Sequence, residues 1–100
     1  MMPYRVSRGA QHDLLEIFTY WAERASPSVA DRIIERVTAR FKLLAERPLA
    51  GKSASHIAAK VRCFPVGKYL VYYQKTRQSV DILHIFHSAR DQKPSFRTKT

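Results

Sequence analysis

The sequence predicts an α+β domain in which two helices pack on a mostly antiparallel sheet, in the order β-α-α-β-β-β. The first observation is a β-hairpin pattern within residues 67–91, where two arms rich in β-branched and aromatic residues flank a short polar break at Thr76–Ser79. The second is a pair of stretches ahead of it whose apolar residues recur at helical spacing. Helices this short need a sheet to cover their apolar faces.

The N-terminal segment predicts an edge strand followed by a helix. Pro3–Val6 is short, and a proline is tolerated at the start of an edge strand. Ser7 suits a helix N-cap, because its hydroxyl can accept a hydrogen bond from a free N–H of the first turn. The apolar stripe of this helix comprises Ala10, Leu14, Ile17, Phe18, Trp21 and Ala25.

A second helix is predicted from Ser26-Pro27, where a serine N-cap precedes a proline at the first helical position. Pro48 marks its end. Because the connection to the first helix is so short, the two should form an antiparallel helical hairpin. Its apolar stripe comprises Ala30, Ile33, Ile34, Val37, Phe41 and Leu44.

The second half of the chain predicts a loop over residues 49–59 and then three strands. The first of these covers Lys60–Pro65, and alternation places Lys60, Arg62 and Phe64 on one face. In the last strand both faces are apolar, so we expect a central strand covered on both sides. Alternation divides it into Val80, Ile82, His84 and Phe86 on one face, and Asp81, Leu83, Ile85 and His87 on the other. We expect residues 1–92 to form a single domain and residues 93–100 a mobile basic tail.

The charge is large and uneven. The chain has a formal net charge of +10, of which residues 1–50 carry +2 and residues 51–100 carry +8. Such an imbalance favours an acidic partner, whether a nucleic acid, an acidic protein or a ribonucleoprotein. Arg32, Arg36 and Arg40 form a row along the second helix, which is either a solvated surface or part of such a contact.

Several classes of protein are disfavoured. The longest apolar runs, such as residues 69–73, fall far short of the ~20 residues that span a bilayer. The single cysteine, Cys63, excludes an internal disulfide and favours a reducing compartment. His84 and His87 are three apart on a predicted strand and point to opposite faces, so they cannot share a metal ion. We expect a cytoplasmic protein without metal, cofactor or membrane contact.

An RNA-cleaving site is the catalytic alternative. It requires a group that takes the 2′-OH proton, cations for the charge on the phosphorane, and an acid for the leaving oxygen. Lys60 and Arg62 are expected on one face, and His87 and Arg90 near the end of another strand. Since no well-placed carboxylate or tyrosine base accompanies them, the favoured interpretation is that His87 and Asp91 hydrogen-bond to each other or to the backbone.

In residue order and spacing, nearly the whole chain resembles the ParE branch of the ParE/RelE toxin superfamily. The resemblance runs through Tyr4–Ser7, Asp13–Ile17, Pro48–Gly51, Val61-Arg62, Pro65–Tyr73 and His84–Asp91. It implies a small bacterial toxin of a type II toxin–antitoxin system, held inactive by a cognate antitoxin that wraps a long helix around it, in a possible heterotetramer. ParE-like toxins trap DNA gyrase on broken DNA, whereas RelE-like toxins cut mRNA on the ribosome.

The ParE-like function is favoured, because Phe96 stands where many RelE-like toxins place a catalytic tyrosine. No catalytic residue is then expected; the mRNA endonuclease alternative would use Lys60, Arg62, His87 and Arg90. For the antitoxin helix we expect contacts at Leu15, Phe18, Ala22, Leu43 and Tyr72. For the gyrase–DNA target or another polyanion we expect contacts at Lys52, Arg62, Lys68, Arg90, Lys93 and Arg97.

Overall fold

The structure is a computed structural model that describes residues 2–89, and its α+β fold confirms the predicted class. Two helices follow the first strand, and four strands follow the helices. The elements are β1 (Tyr4–Val6), α1 (Arg8–Arg24), α2 (Pro27–Glu46), β2 (Lys52–Ser53), β3 (Val61–Val66), β4 (Tyr69–Lys75) and β5 (Val80–His87). None of the helices in residues 2–89 combines the length and the apolar content that crossing a bilayer requires.

Both helices begin at the predicted serine caps. The Ser7 hydroxyl accepts a hydrogen bond from the Ala10 N–H at 3.0 Å, and the Ser26 hydroxyl accepts one from the Val29 N–H at 3.2 Å. Pro27 occupies the first turn of α2, where its missing N–H costs no hydrogen bond. The caps therefore satisfy free backbone donors at both helix starts.

The sheet has five strands in the order β1-β5-β4-β3-β2. β1 is the predicted edge strand and pairs in parallel with β5, whereas the other neighbours are antiparallel. β5 lies inside the sheet, as predicted. The two-residue strand β2 lies in the stretch predicted to be loop, and it pairs with β3 through Lys52 opposite Cys63.

The predicted division of β5 into two faces is wrong after Ile82. Tyr73 pairs with Ile82 but Tyr72 pairs with His84, so Leu83 is an extra residue in a β-bulge. The bulge reverses the alternation beyond it. Ile85 therefore faces the helices, together with Ile82, and not the opposite side.

Two apolar clusters cover the two faces of the sheet. The helix-side cluster is the main core and joins α1 and α2 to β3, β4 and β5, with Phe41, Tyr73 and Ile82 at most 1% exposed. The outer-face cluster lies on the opposite face and contains no helical residue. It comprises Ala54, Val61 and Tyr72, with Ile57, Ala58, Cys63, Leu70, Leu83 and Phe86 packed against them.

A carboxylate attaches α1 to β5 where β1 stops. Asp13 Oδ2 accepts a hydrogen bond from the Ile85 N–H at 2.9 Å and lies 2.9 Å from His84 Nδ1. Because β1 pairs with β5 only as far as Ile82, the Ile85 N–H would otherwise face an open sheet edge. Asp13 thus takes the place of a strand partner.

Candidate functional site

The most enclosed of the described surface cavities lies where the helical hairpin meets the turn between β3 and β4. We call it the helix–sheet cleft; its volume is about 390 Å³. Both helices and three strands contribute to its walls. It is lined by Trp21, Ile33, Arg36, Val37, Val66, Gly67, Lys68, Tyr69 and His87.

Aromatic rings form one wall of the cleft and are held by direct contacts. Trp21 Nε1 donates a hydrogen bond to the Tyr69 hydroxyl at 2.8 Å. The His87 ring meets the Tyr69 ring edge-on, with 5.2 Å between centroids. Because Tyr69 is only 5% exposed, this arrangement is fixed by packing from α1 and β5.

Basic side chains stand at the rim of the cleft. Gly67, at φ +60°, occupies the first position of the two-residue turn between β3 and β4, a conformation that glycine adopts without strain. The turn presents Lys68, and Arg36 of α2 lies beside it. Among residues 2–89, no acidic side chain lines the cleft, and the ion pairs found there involve neither Arg36 nor Lys68. The cleft is therefore suited to an anionic group carried on an apolar body.

One ring nitrogen of His87 accepts a hydrogen bond from the backbone. The Ala89 N–H donates a hydrogen bond to His87 Nδ1 at 3.1 Å. The hydrogen bond orients the imidazole at the end of β5. It matches the predicted backbone bond at this strand end, while the Asp91 partner lies outside the described residues.

The structure does not bring the alternative nuclease residues together. Arg62 lies opposite Tyr73, and His87 lies opposite Tyr69, which places them four residues apart along β4, or about 13 Å. Lys60 lies ahead of β3 at φ +66° and is not part of the strand, so the predicted shared face with Arg62 is wrong. Arg90 lies outside the described residues.

Arg62 is engaged with the backbone. Its Nη2 donates to the Gly51 carbonyl at 2.7 Å and to the Leu49 carbonyl at 3.4 Å, and its Nε donates to the Gly51 carbonyl at 3.0 Å. These bonds join β3 to the segment that follows α2. Arg62 therefore has a structural partner in this conformation, whereas Lys52, on the edge strand, is exposed.

Two groups on the outer face of the sheet, Cys63 and Tyr72, have raised pKa values. Burial raises the pKa of the Cys63 thiol. Burial, with the neighbouring Cys63, raises the pKa of Tyr72 to about 12. Both groups consequently remain protonated at neutral pH, and neither is a base or a thiolate. Within residues 2–89, no group of three His, Cys, Asp or Glu side chains is placed to hold a metal ion.

The expected antitoxin contacts divide between two surfaces. Leu15, Phe18 and Ala22 form one stripe of α1, and Leu15 is 62% exposed. Leu43 is half-buried on α2. Tyr72, in contrast, is 5% exposed and lies on the outer face of the sheet. It therefore adds little to an antitoxin contact on α1 and α2.

The sequence does not reveal the helix–sheet cleft as a unit. Trp21 belongs to the apolar stripe of α1 and Arg36 to the arginine row of α2, and nothing in these two patterns links the residues. The link is the Trp21–Tyr69 hydrogen bond, which joins residues 48 positions apart. The one local signal was Gly67-Lys68, a turn sequence that presents a cation.

Known proteins resemble the chain in sequence and in fold. A family profile described as ParE toxin of type II toxin-antitoxin system, parDE, matches residues 4–92. Toxin ParE1 of Caulobacter vibrioides is 30% identical over 89 residues, which cover 89% of this chain and 92% of that protein. The fold matches a structure of the chromosomal ParDE TA system from P. aeruginosa with a TM-score of 0.77 at 19% identity, covering 87% of this chain and 96% of that chain.

Proposed function

The chain belongs to the ParE toxin family of type II toxin–antitoxin systems, and we propose that it inhibits DNA gyrase by binding the gyrase–DNA complex. A cognate antitoxin neutralises it, in a heterotetramer with two copies of each chain. Since gyrase acts on the bacterial chromosome, the site of action is the cytoplasm. No cofactor takes part in this activity.

The distance between Arg62 and His87 supports binding over catalysis. Cleavage of RNA needs an acid, a base and cations around one phosphate. About 13 Å of sheet lies between the rows of Arg62 and His87, and Arg62 already binds two backbone carbonyls. The described residues therefore provide no joint site for these groups, and binding remains the simpler activity.

For the target, we assign the helix–sheet cleft to an acidic and apolar segment of gyrase. Its wall is aromatic, and Arg36 and Lys68 stand at its rim without an ion pair among residues 2–89. A cation gains most from a carboxylate where water is excluded by apolar neighbours. Lys52 adds a more distant contact. The expected contacts at Arg90, Lys93 and Arg97 lie outside the described residues and remain part of the proposal.

For the antitoxin, we assign the apolar stripe of Leu15, Phe18 and Ala22, continued by Leu43 of α2. An amphipathic helix buries such a stripe in a helix-in-groove contact. The exposure of Leu15 supports this assignment, because a large apolar side chain 62% exposed gains by being covered. The antitoxin stripe and the lining of the helix–sheet cleft have no residue in common.

The test adds the purified chain to gyrase, ATP and relaxed plasmid, and measures both supercoiling and trapped cleaved DNA. We expect supercoiling to fall and cleaved DNA to accumulate. The double variant Arg36→Ala/Lys68→Ala should lose most of this inhibition, whereas the charge-matched Arg32→Ala/Arg40→Ala should keep it. Undiminished supercoiling with the unmodified chain contradicts the proposal, and message cleavage in a translation extract supports the nuclease alternative instead.

The antitoxin contact has its own readout in the same assay. Leu15→Glu/Phe18→Glu should still inhibit gyrase but should no longer be neutralised by the antitoxin. Ser55→Glu/His56→Glu, which changes two exposed positions outside both helices, provides the charge-matched control and should be neutralised normally. Full neutralisation of Leu15→Glu/Phe18→Glu contradicts the assignment of this stripe.

A further inference from the structure

A second cavity lies at the opposite end of the sheet from His87, around the turn between β4 and β5. We call it the turn groove; it is open and has a volume of about 540 Å³. One strand edge, one turn and the residue before β3 contribute to it. It is lined by Arg5, Lys60, Gln74, Lys75, Thr76, Arg77 and Gln78.

Every side chain that lines the turn groove is of a type that contacts nucleic-acid phosphates. Four are lysine or arginine, two are glutamine and one is threonine. Arg5 is paired with Asp81 at 3.1 Å. Among residues 2–89, the ion pairs involve none of Lys60, Lys75 and Arg77. Because half or more of protein–DNA hydrogen bonds join such side chains to phosphate and sugar, we propose that the turn groove binds the phosphate backbone of double-stranded DNA.

The backbone of the turn is held by its own hydrogen bonds, so the positions from which its cations extend are fixed before a ligand arrives. The Thr76 hydroxyl accepts the Ser79 N–H at 3.0 Å and the Gln78 N–H at 3.2 Å. It also donates to the Ser79 carbonyl at 3.1 Å. A fixed turn loses little conformational entropy on binding, which preserves affinity.

Lys60 supplies an independent observation. It is the single non-glycine residue of the described chain with a positive φ, at +66°. The backbone around it is held by bonds from the Ala54 N–H to the Val61 carbonyl at 2.7 Å and from the Val61 N–H to the Ala58 carbonyl at 3.2 Å. Asparagine or glycine adopts this conformation more readily, so a lysine here costs some conformational free energy. Its place in the lining of the groove gives a functional reason for a lysine at this position.

The composition of the groove favours a nucleic-acid duplex over an acidic peptide or a single strand. No apolar or aromatic side chain lines it, in contrast to the helix–sheet cleft. An acidic peptide would find no apolar contact there, and single-stranded nucleic acid would find no ring on which a base could stack. What remains is contact with a regular row of phosphates, without recognition of sequence.

This inference goes beyond gyrase inhibition, and its test contains no gyrase. The probe is a fluorescein-labelled duplex DNA of mixed sequence, titrated with the full chain while anisotropy is measured between about 0.05 M and about 0.3 M NaCl. Each phosphate contact contributes about −0.9 to the slope of log K against log salt. Three free cations predict a slope of about −3.

Variants test whether the cations of the turn groove produce that slope. Lys75→Ala/Arg77→Ala should reduce its magnitude by about 2, whereas Arg32→Ala/Arg40→Ala, which removes the same charge from α2, should change it little. Lys60→Gly keeps the positive φ accessible, so it should fold normally, and it should reduce the slope by about 1. Urea unfolding of each variant verifies that it is folded.

Four results would overturn the proposal. The first is no binding at the lowest salt concentration. The second is an equal loss of slope in the two double variants, which would indicate general attraction to a basic protein. The third is equal or tighter binding of duplex RNA of the same sequence. The fourth is displacement of the DNA by polyglutamate as effectively as by unlabelled duplex.

Discussion

The Tyr73 hydroxyl joins three parts of the chain inside the core. It donates to the Pro48 carbonyl at 2.8 Å and accepts the Gly51 N–H at 2.8 Å. A Cβ at position 51 would lie 2.7 Å from this oxygen and from the Cys63 carbonyl, so the segment after α2 can approach only through glycine. Tyr73 thereby fixes the segment that leads into β2.

Tyr73→Phe should lower the free energy of unfolding by about 2 kcal/mol, because it removes the partner of the buried Gly51 N–H and of the half-buried Pro48 carbonyl. The measurement is urea unfolding followed by circular dichroism. Tyr4→Phe is the control, since Tyr4 is 42% exposed, and it should change stability by less than about 0.5 kcal/mol. Equal effects of the two changes would contradict the role of the Tyr73 hydroxyl.

The Asp81 carboxylate makes stability depend on pH. The hydrogen bond from Arg5, followed by the bond from Ser79, holds the pKa of Asp81 below its ordinary value of 3.8, although burial opposes this. A lowered pKa in the folded state adds stability above the unfolded-state pKa, and this stability is lost as pH falls through the folded-state pKa. Because Arg5 is exposed, the effect is small.

Asp81→Asn should therefore unfold at lower urea than the unmodified chain at about pH 6, and the difference should shrink at about pH 2. Urea midpoints of both proteins at the two pH values give the result. A difference that stays constant or grows in acid would contradict the assignment of this pKa shift.

At the scale of residues, the sequence predicts contacts that depend on neighbours in the chain. Ser7 and Ser26 are recognisable caps because their partners lie three residues further on. Arg62 was expected to face a polyanion, and its bonds to the Gly51 and Leu49 carbonyls were missed. Those partners lie 11 and 13 residues away, and only the folded β2–β3 pairing brings them close.

One carboxylate adds a polar link between α1 and β5 to their apolar packing. Asp13→Ala removes the acceptor of the Ile85 N–H and should lower the free energy of unfolding by about 2 kcal/mol, as expected for an unpaired donor away from water. Amide hydrogen exchange at Ile85 should accelerate. Asp31→Ala, an exposed change on α2, should leave both quantities nearly unchanged. Unchanged protection of Ile85 in Asp13→Ala would contradict this role.

At the scale of elements, periodicity predicted the two helices and the hairpin well. In the stripe from Ala30 to Leu44, apolar residues recur at helical spacing over several turns. A pattern repeated so often still indicates a helix when single positions depart from it. β2 was missed because two residues carry no period. The bulge at Leu83 was missed because apolar residues occupy both faces of β5, so a change of register leaves no mark in the sequence.

The whole molecule carries strong positive charge, with a formal net charge of +10. Repulsion among like charges destabilises the compact state, and salt screens it. The urea midpoint should therefore rise between about 0.05 M and about 0.5 M NaCl at neutral pH. Measuring it with NaCl, KCl and sodium acetate separates screening from specific effects of the cation and of the anion. A midpoint that falls with salt would show that favourable ion pairs outweigh the repulsion.

At this scale the sequence also predicted the family, because motifs from Tyr4 to Asp91 follow one another in the right order. The sequence did not predict the helix–sheet cleft. The cleft joins Trp21 of α1, Arg36 of α2 and His87 of β5, and their positions relative to each other follow only from the packing of the hairpin on the sheet. Sequence order therefore identified the class of protein but not this cleft.

The position of β5 has a consequence for synthesis. In chain order it is the last of the five strands, yet it lies between β1 and β4 and joins them into one sheet. Until the residues from Val80 onward have been translated, β1 has no neighbouring strand with which to pair. The sheet thus stays incomplete until the final strand leaves the ribosome, and a stop codon before that point yields a chain in which nothing joins β1 to β4.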